Sequence, residues 1–158
     1  MVVLRKRVAG LTEAALSRFI ARARTAADLK GAVDVLITSN SDLRALNRRF
    51  RGKNKPTDVL SFPAEAEQSK NNAGDIAISS EIASRNARAL GHPVAAEIKI
   101  LVLHGILHLR GYDHDRDQGE MAEIEQRLRQ QLRLPLGLIE RARSSNRNVA
   151  VAKNRRRA

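Results

Sequence analysis

The stretch Leu103-His104-Gly105-Ile106-Leu107-His108-Leu109-Arg110-Gly111-Tyr112-Asp113-His114 decides how this chain is read. It holds three of the four histidines. His104 and His108 stand four positions apart, so on a helix both rings leave the same face. Gly111 supplies the positive-φ residue that ends a helix and turns the backbone, and the turn carries His114 back toward the first two rings. Three neutral imidazoles meeting at one point, with a fourth position left for water, describe a catalytic zinc site. A hydrogen-bonded core histidine is a credible reading for one ring and a poor one for three, because every imidazole buried on an apolar helix needs a partner. A shared metal satisfies one nitrogen of each ring, and the other nitrogens then seek outer acceptors. Asp113 and Asp115 are candidates for that role, and equally for exposed turn carboxylates.

The same spacing matches the extended zinc-protease pattern H-E-x-x-H-x-x-G-x-x-H at all but one position. The protease places a glutamate directly after the first histidine as general base, and here that residue is Gly105. The ligand spacing is kept while the peptidase chemistry is not. A structural zinc normally has four protein ligands; the one spare histidine, His92, sits beside Pro93 at a turn and reads as a surface residue.

Outward from this stretch, Val94 to Leu109 is apolar nearly all round, which predicts a helix buried at the centre of the fold. Pro93 suits its first turn. Upstream, Val2–Val8 reads as a strand, followed by a helix capped by Thr12 with Leu16, Phe19, Ile20 and Ala23 as its stripe. Val33–Thr38 is a β-branched buried strand. Ser39 with Asp42 caps a helix whose Leu43, Leu46 and Phe50 repeat at helical spacing. A basic turn, 51–56, leads to a strand at Asp58–Pro63. Residues 64–73 read as a polar loop, Gly74–Ser79 as a strand, and Ser80–Leu90 as a helix ending at Gly91. Downstream, Asp117 and Glu120 open a helix with Met121, Ile124, Leu128 and Leu132 buried. A short helix is expected from beyond Pro135 to about Arg143. The length suits a single domain, 1–143, and 144–158 reads as a disordered basic tail.

Cysteine is absent, which excludes disulfides and thiolate zinc sites and fits a reducing cytosol. Arg5, Lys6 and Arg7 break the first apolar run before it resembles a signal peptide. No run approaches the roughly 18 apolar residues of a membrane span, so the expected location is the cytoplasm. The formal net charge of +12 favours a polyanionic partner. Residues 140–158 hold seven Lys or Arg against Glu140 alone, and the rest of the surplus belongs to the folded body. Aromatic residues make up only 3%, too few for a stacking platform to be the main device for binding single strands. An open zinc site polarises phosphoryl oxygens and activates water, and a basic body attracts a phosphodiester backbone. Together they point to metal-assisted hydrolysis of nucleic acid.

The histidine motif resembles the signature of the YbeY family of bacterial endoribonucleases. Two further blocks agree in order and spacing: Leu46-Asn47 through Phe50-Arg51 to Pro56-Thr57-Asp58-Val59-Leu60-Ser61-Phe62-Pro63, and Gly74-Asp75-Ile76. The resemblance covers roughly residues 33–134. It implies an α+β single domain, with a small mixed four-stranded sheet packed with about five helices and the histidine helix at its centre. It implies one Zn2+ on His104, His108 and His114. It also implies single-strand-specific RNA cleavage, maturation of the 3′ end of 16S rRNA and ribosome quality control, with small-subunit rRNA and the ribosomal particle as partners. Neither DNA specificity nor a membrane partner is expected. The family's functional arginine falls on Arg51, where a guanidinium suits a phosphate; the plain alternative is a helix-end arginine on the C-terminal dipole. Asp58 and Asp75 read as turn or capping carboxylates, and Lys53 and Lys55 as RNA guides or a solvated basic turn. The second functional reading is a ribosome-associated assembly factor whose zinc is mainly structural; a metallopeptidase is disfavoured by Gly105.

Overall fold

Side-chain caps start three of the helices. The hydroxyls of Thr12, Ser39 and Ser79 accept from the backbone N–H groups of Ala15, Asp42 and Ile82. The computed structural model describes residues 1–66 and 70–136. The expected tail, 144–158, and residues 137–143 of the anticipated last helix lie outside that range. The elements run β1 (Val2–Leu4), α1 (Glu13–Ala26), β2 (Ala32–Thr38), α2 (Asn40–Arg51), β3 (Val59–Pro63), β4 (Asn72–Ser79), α3 (Ser80–Leu90), α4 (Val94–Arg110) and α5 (Glu120–Gln131). Among the described residues this is the expected α+β domain, with four strands and five helices.

The sheet order is β1-β2-β4-β3, with β1, β2 and β4 parallel and β3 antiparallel to β4. Alternation along the strands divides the sheet into two faces. Val33, Val35, Ile37, Val59, Ile76 and Ile78 turn toward the main core with α1 and α4. Leu60 and Ala77 turn the other way, onto Leu43 of α2.

β2 and β3 begin within one residue of expectation; two strand boundaries differ by more, and both follow from pairing. β1 stops at Leu4 instead of Val8, because β2 yields at Thr38 to the cap of α2 and leaves no backbone beyond the Arg5 N–H bond to the Ile37 carbonyl. Val8 is instead buried in the turn before α1. β4 begins at Asn72 instead of Gly74, since Ala32 pairs with Asn72 on one side and Ala64 donates to the Ala73 carbonyl on the other. The stripe expected on α2 also shortens: Leu43 is buried, but Phe50 is 56% exposed and meets Phe62 edge to face.

α4 runs through the middle of the molecule, with its residues from Ile100 to Leu107 all buried. A buried acid, Glu97, lies in its first turn and bonds to His92 Nε2 at 2.8 Å. That pairing corrects the surface reading of His92, whose side chain is only 11% exposed. Among the described residues, no single helix is long and apolar enough to cross a membrane.

Candidate metal centre

The site grows from the contact between α4 and the sheet. A Cβ built on Gly105 would stand 2.8 Å from Ile76 Cδ1 and 3.0 Å from Ser61 Oγ, well inside contact distance. Ser61 Oγ donates to the Gly105 carbonyl at 3.3 Å. Position 105 therefore faces the β3–β4 seam, where any Cβ would press on the side chains of Ile76 and Ser61. The glycine that removes the protease base is also the residue that this packing requires.

Pressing the helix down on that side leaves His104 and His108 on another. α4 ends at Gly111, whose φ of 112° belongs to the left-handed region that glycine enters freely. The N–H groups of Gly111 and Tyr112 close the helix on the carbonyls of His108 and Leu107. The reversed chain brings His114 back, as its spacing predicts. Nε2 of His104 lies 3.1 Å from Nε2 of His108 and 3.2 Å from Nε2 of His114. Three nitrogens bound tetrahedrally at the usual zinc distance stand about 3.3 Å apart, so the spacing fits one shared ion.

Proton placement strengthens this fit. His104 Nδ1 faces Glu125 Oε1 at 2.7 Å, and His108 Nδ1 faces the Tyr112 carbonyl at 3.0 Å. A carboxylate and a carbonyl can only accept, so both rings carry their proton on Nδ1 and donate it. Burial, and then the charge of His114, lower the pKa of His108, which favours the neutral ring. With both rings neutral, the two Nε2 atoms face each other as lone pairs. Such lone pairs repel unless a cation lies between them. The three rings form a site that could hold a metal ion.

The outer partners are not the ones expected from the turn. Asp113 accepts from Asp115 N–H and pairs with Arg116, which holds the turn itself. The acceptor for His104 is Glu125, 21 residues away on α5. Its second oxygen binds Arg129 at 2.8 Å, and Arg129 is fully buried. Asp117, expected to cap α5, does so from a distance, accepting from Gly119 and Met121 N–H at 2.9 Å. Those two bonds hold its carboxyl below the usual range.

Comparison with known proteins bears on what such a site does. The model of the family described as Endoribonuclease YbeY matches residues 3–133, nearly all of the described chain. The chain belongs to the YbeY endoribonuclease family. A YbeY endoribonuclease of Koribacter versatilis is 54% identical over 155 residues, covering 98% of this chain and all of that one. One from Solibacter usitatus is 46% identical, covering 90% and 95%. The solution structure of TM1509 from Thermotoga maritima aligns with a TM-score of 0.58 at 29% identity, over 92% of this chain and 95% of that one.

The other YbeY candidate residues lie on α2, in the segment between α2 and β3, and on β4. Arg51 is exposed in the last turn of α2, and its side chain makes no hydrogen bond or ion pair among the described residues. Lys53 and Lys55 are half-buried in the turn that follows, where the Lys55 carbonyl accepts from Asn47 Nδ2. Asp58 is fully buried and its carbonyl accepts from Ser79 N–H. Asp75 is exposed and adjacent in register to Asp34. Partial burial and then the Asp34 charge raise its pKa. Its neighbour Ile76 packs toward Gly105, so alternation turns Asp75 to the sheet face away from α4.

Proposed function

We propose that this chain is a single-strand-specific, zinc-dependent endoribonuclease of the cytoplasm. Its work is ribosomal RNA processing, maturing the 3′ end of 16S rRNA and serving ribosome quality control. The observation that carries the metal half of this reading is the convergence of the three Nε2 atoms of His104, His108 and His114. Three imidazoles with neither thiolate nor carboxylate suit zinc, and three protein ligands leave the open position of a catalytic site. The RNA half is supported by the name Endoribonuclease carried by the relatives and by the basic surplus.

Bound zinc supplies Lewis-acid polarisation of a phosphoryl oxygen and a lowered pKa for water. The chain's own groups then divide the remaining work. His104 and His108 are oriented by Glu125 and the Tyr112 carbonyl, which accept from their Nδ1 atoms. The guanidinium of Arg51 offers a two-pronged donor to a phosphate and balances charge that builds up during displacement. Lys53 and Lys55 extend that positive edge along the backbone of the RNA. A peptidase lacks its base here, because position 105 is glycine where that chemistry needs glutamate.

The test uses purified protein of verified metal content, incubated with single-stranded RNA beside His108→Ala and Arg51→Ala. His108→Ala is expected to lose metal and cleavage together. Arg51→Ala should keep its metal and cleave about 100- to 1000-fold more slowly, the usual cost of removing one charge-stabilising donor. Equal cleavage by all three proteins would trace the activity to a contaminating nuclease and end the enzyme reading. Zinc-dependent hydrolysis of a peptide would restore the peptidase.

A further inference from the structure

Glu125 and Arg129 lie one turn apart on α5, with side chains 7% and 1% exposed. An i,i+4 pair of this kind ordinarily sits on the solvated face of a helix. Here it is turned inward, although an apolar pair of similar volume would pack such a place at no loss of stability. What the carboxylate touches gives it a use. Oε1 accepts from His104 Nδ1 at 2.7 Å, and Oε2 accepts from Arg129 at 2.8 Å. With both oxygens held, the carboxylate cannot turn, and the plane of the His104 ring is fixed with it. The guanidinium reaches further: its other terminal nitrogen donates to the carbonyls of Pro135 and Leu136, at 3.5 and 3.4 Å.

We propose that Glu125 and Arg129 are positioning residues of the metal centre. Through them, metal occupancy is coupled to the seating of α5 and of the chain at Pro135 and Leu136. The inference rests on the metal reading above. Glu125 keeps the proton of His104 on Nδ1, which leaves Nε2 bare for the ion, and its charge makes the ring a better donor. Arg129 holds that charge in place and ties it to the backbone beyond α5. His108 is served differently, by the Tyr112 carbonyl, which no side-chain substitution removes. His104 is therefore the ligand whose grip depends on a distant side chain.

The experiment measures zinc affinity of the full chain by competition with a chromophoric chelator, for wild type, Glu125→Gln and Arg129→Lys. Loss of a partner of this kind typically weakens metal binding 10- to 100-fold, and that loss is expected for Glu125→Gln. Arg129→Lys, which keeps the charge but not the fork, should fall between it and wild type. Nitrogen NMR of the metal-free protein should show His104 protonated on Nδ1 in wild type and mixed between tautomers in Glu125→Gln, a signature that a purely structural role would not move. Adding zinc should slow amide exchange from 120 to 136 in wild type, with the effect at 133–136 lost in Arg129→Lys. Where Glu125→Gln fails to fold, the affinity and exchange of Arg129→Lys decide. Wild-type affinity retained in folded Glu125→Gln, or exchange at 133–136 indifferent to zinc, overturns this inference alone. A wild-type protein that binds no divalent metal overturns the metal reading as well.

Discussion

At the scale of single residues, Gly105 carries two constraints at once. It lies between two histidines that must share a face, and over a seam where a Cβ would press on Ile76 and Ser61. Replacing it with alanine gains up to about 1 kcal/mol of helix propensity but forces Ile76, which is 1% exposed, to move. Overpacking of this kind costs about 1–3 kcal/mol, so packing outweighs propensity. Gly105→Ala should unfold at lower urea, by up to about 2 kcal/mol on balance; an unchanged midpoint would mean that the seam has slack. The triad was legible in the sequence because its spacing is local, confined to one helix and one turn. Glu125 and Arg129 were not, since an acid and a base four apart on an amphipathic helix look the same whether they face water or a ligand. Asp113 and Asp115 drew attention by proximity in the chain, while the acceptor His104 uses comes from another helix.

Helices are the elements whose limits could be read most closely. Thr12, Ser39, Gly91 and Gly111 sit at the ends they signal, because a cap is a bond between near neighbours. Strand limits were less legible, since β1 and β4 end where a distant partner ends. α5 shows the intermediate case. Its N-cap position is Gly119, with no side-chain cap, and Asp117 reaches over it to two N–H groups. The folded pKa of Asp117 is depressed by those bonds. Its contribution is therefore complete above the ordinary aspartate range and is lost as pH falls through the lower folded value. Asp117→Asn keeps an acceptor but does not titrate. Amide exchange in the first turn of α5 should accelerate in wild type as pH drops below about 4, once corrected for intrinsic rates, and the variant should show a flatter profile. Parallel profiles would show that Asp117 does not hold this end.

For the whole molecule, charge is the property that composition states and the fold does not fully locate. The +12 surplus is shared between the folded body and the last residues of the chain. The order of the sheet could not be read from the strands themselves, because pairing between distant segments leaves no local mark. The +12, by contrast, has a consequence that depends on no detail of pairing. Residues 144–158 hold five basic side chains and no acid. Each phosphate neutralised on a single strand adds about 0.7 to the slope of log affinity against log salt. If all five meet RNA, removing 144–158 should lower that slope by up to about 3.5. Zinc affinity should stay the same, because the ligands lie at 104–114 and their outer partners no further than Arg129, with its carbonyl contacts at 135 and 136. With the metal site saturated, truncation should raise KM while sparing kcat, as removal of uniform binding does. Binding titrations of single-stranded RNA between about 50 and 200 mM salt would measure the slope. An unchanged slope would assign RNA affinity to the folded body, and a fall in kcat at saturation would place the tail within reach of the reaction.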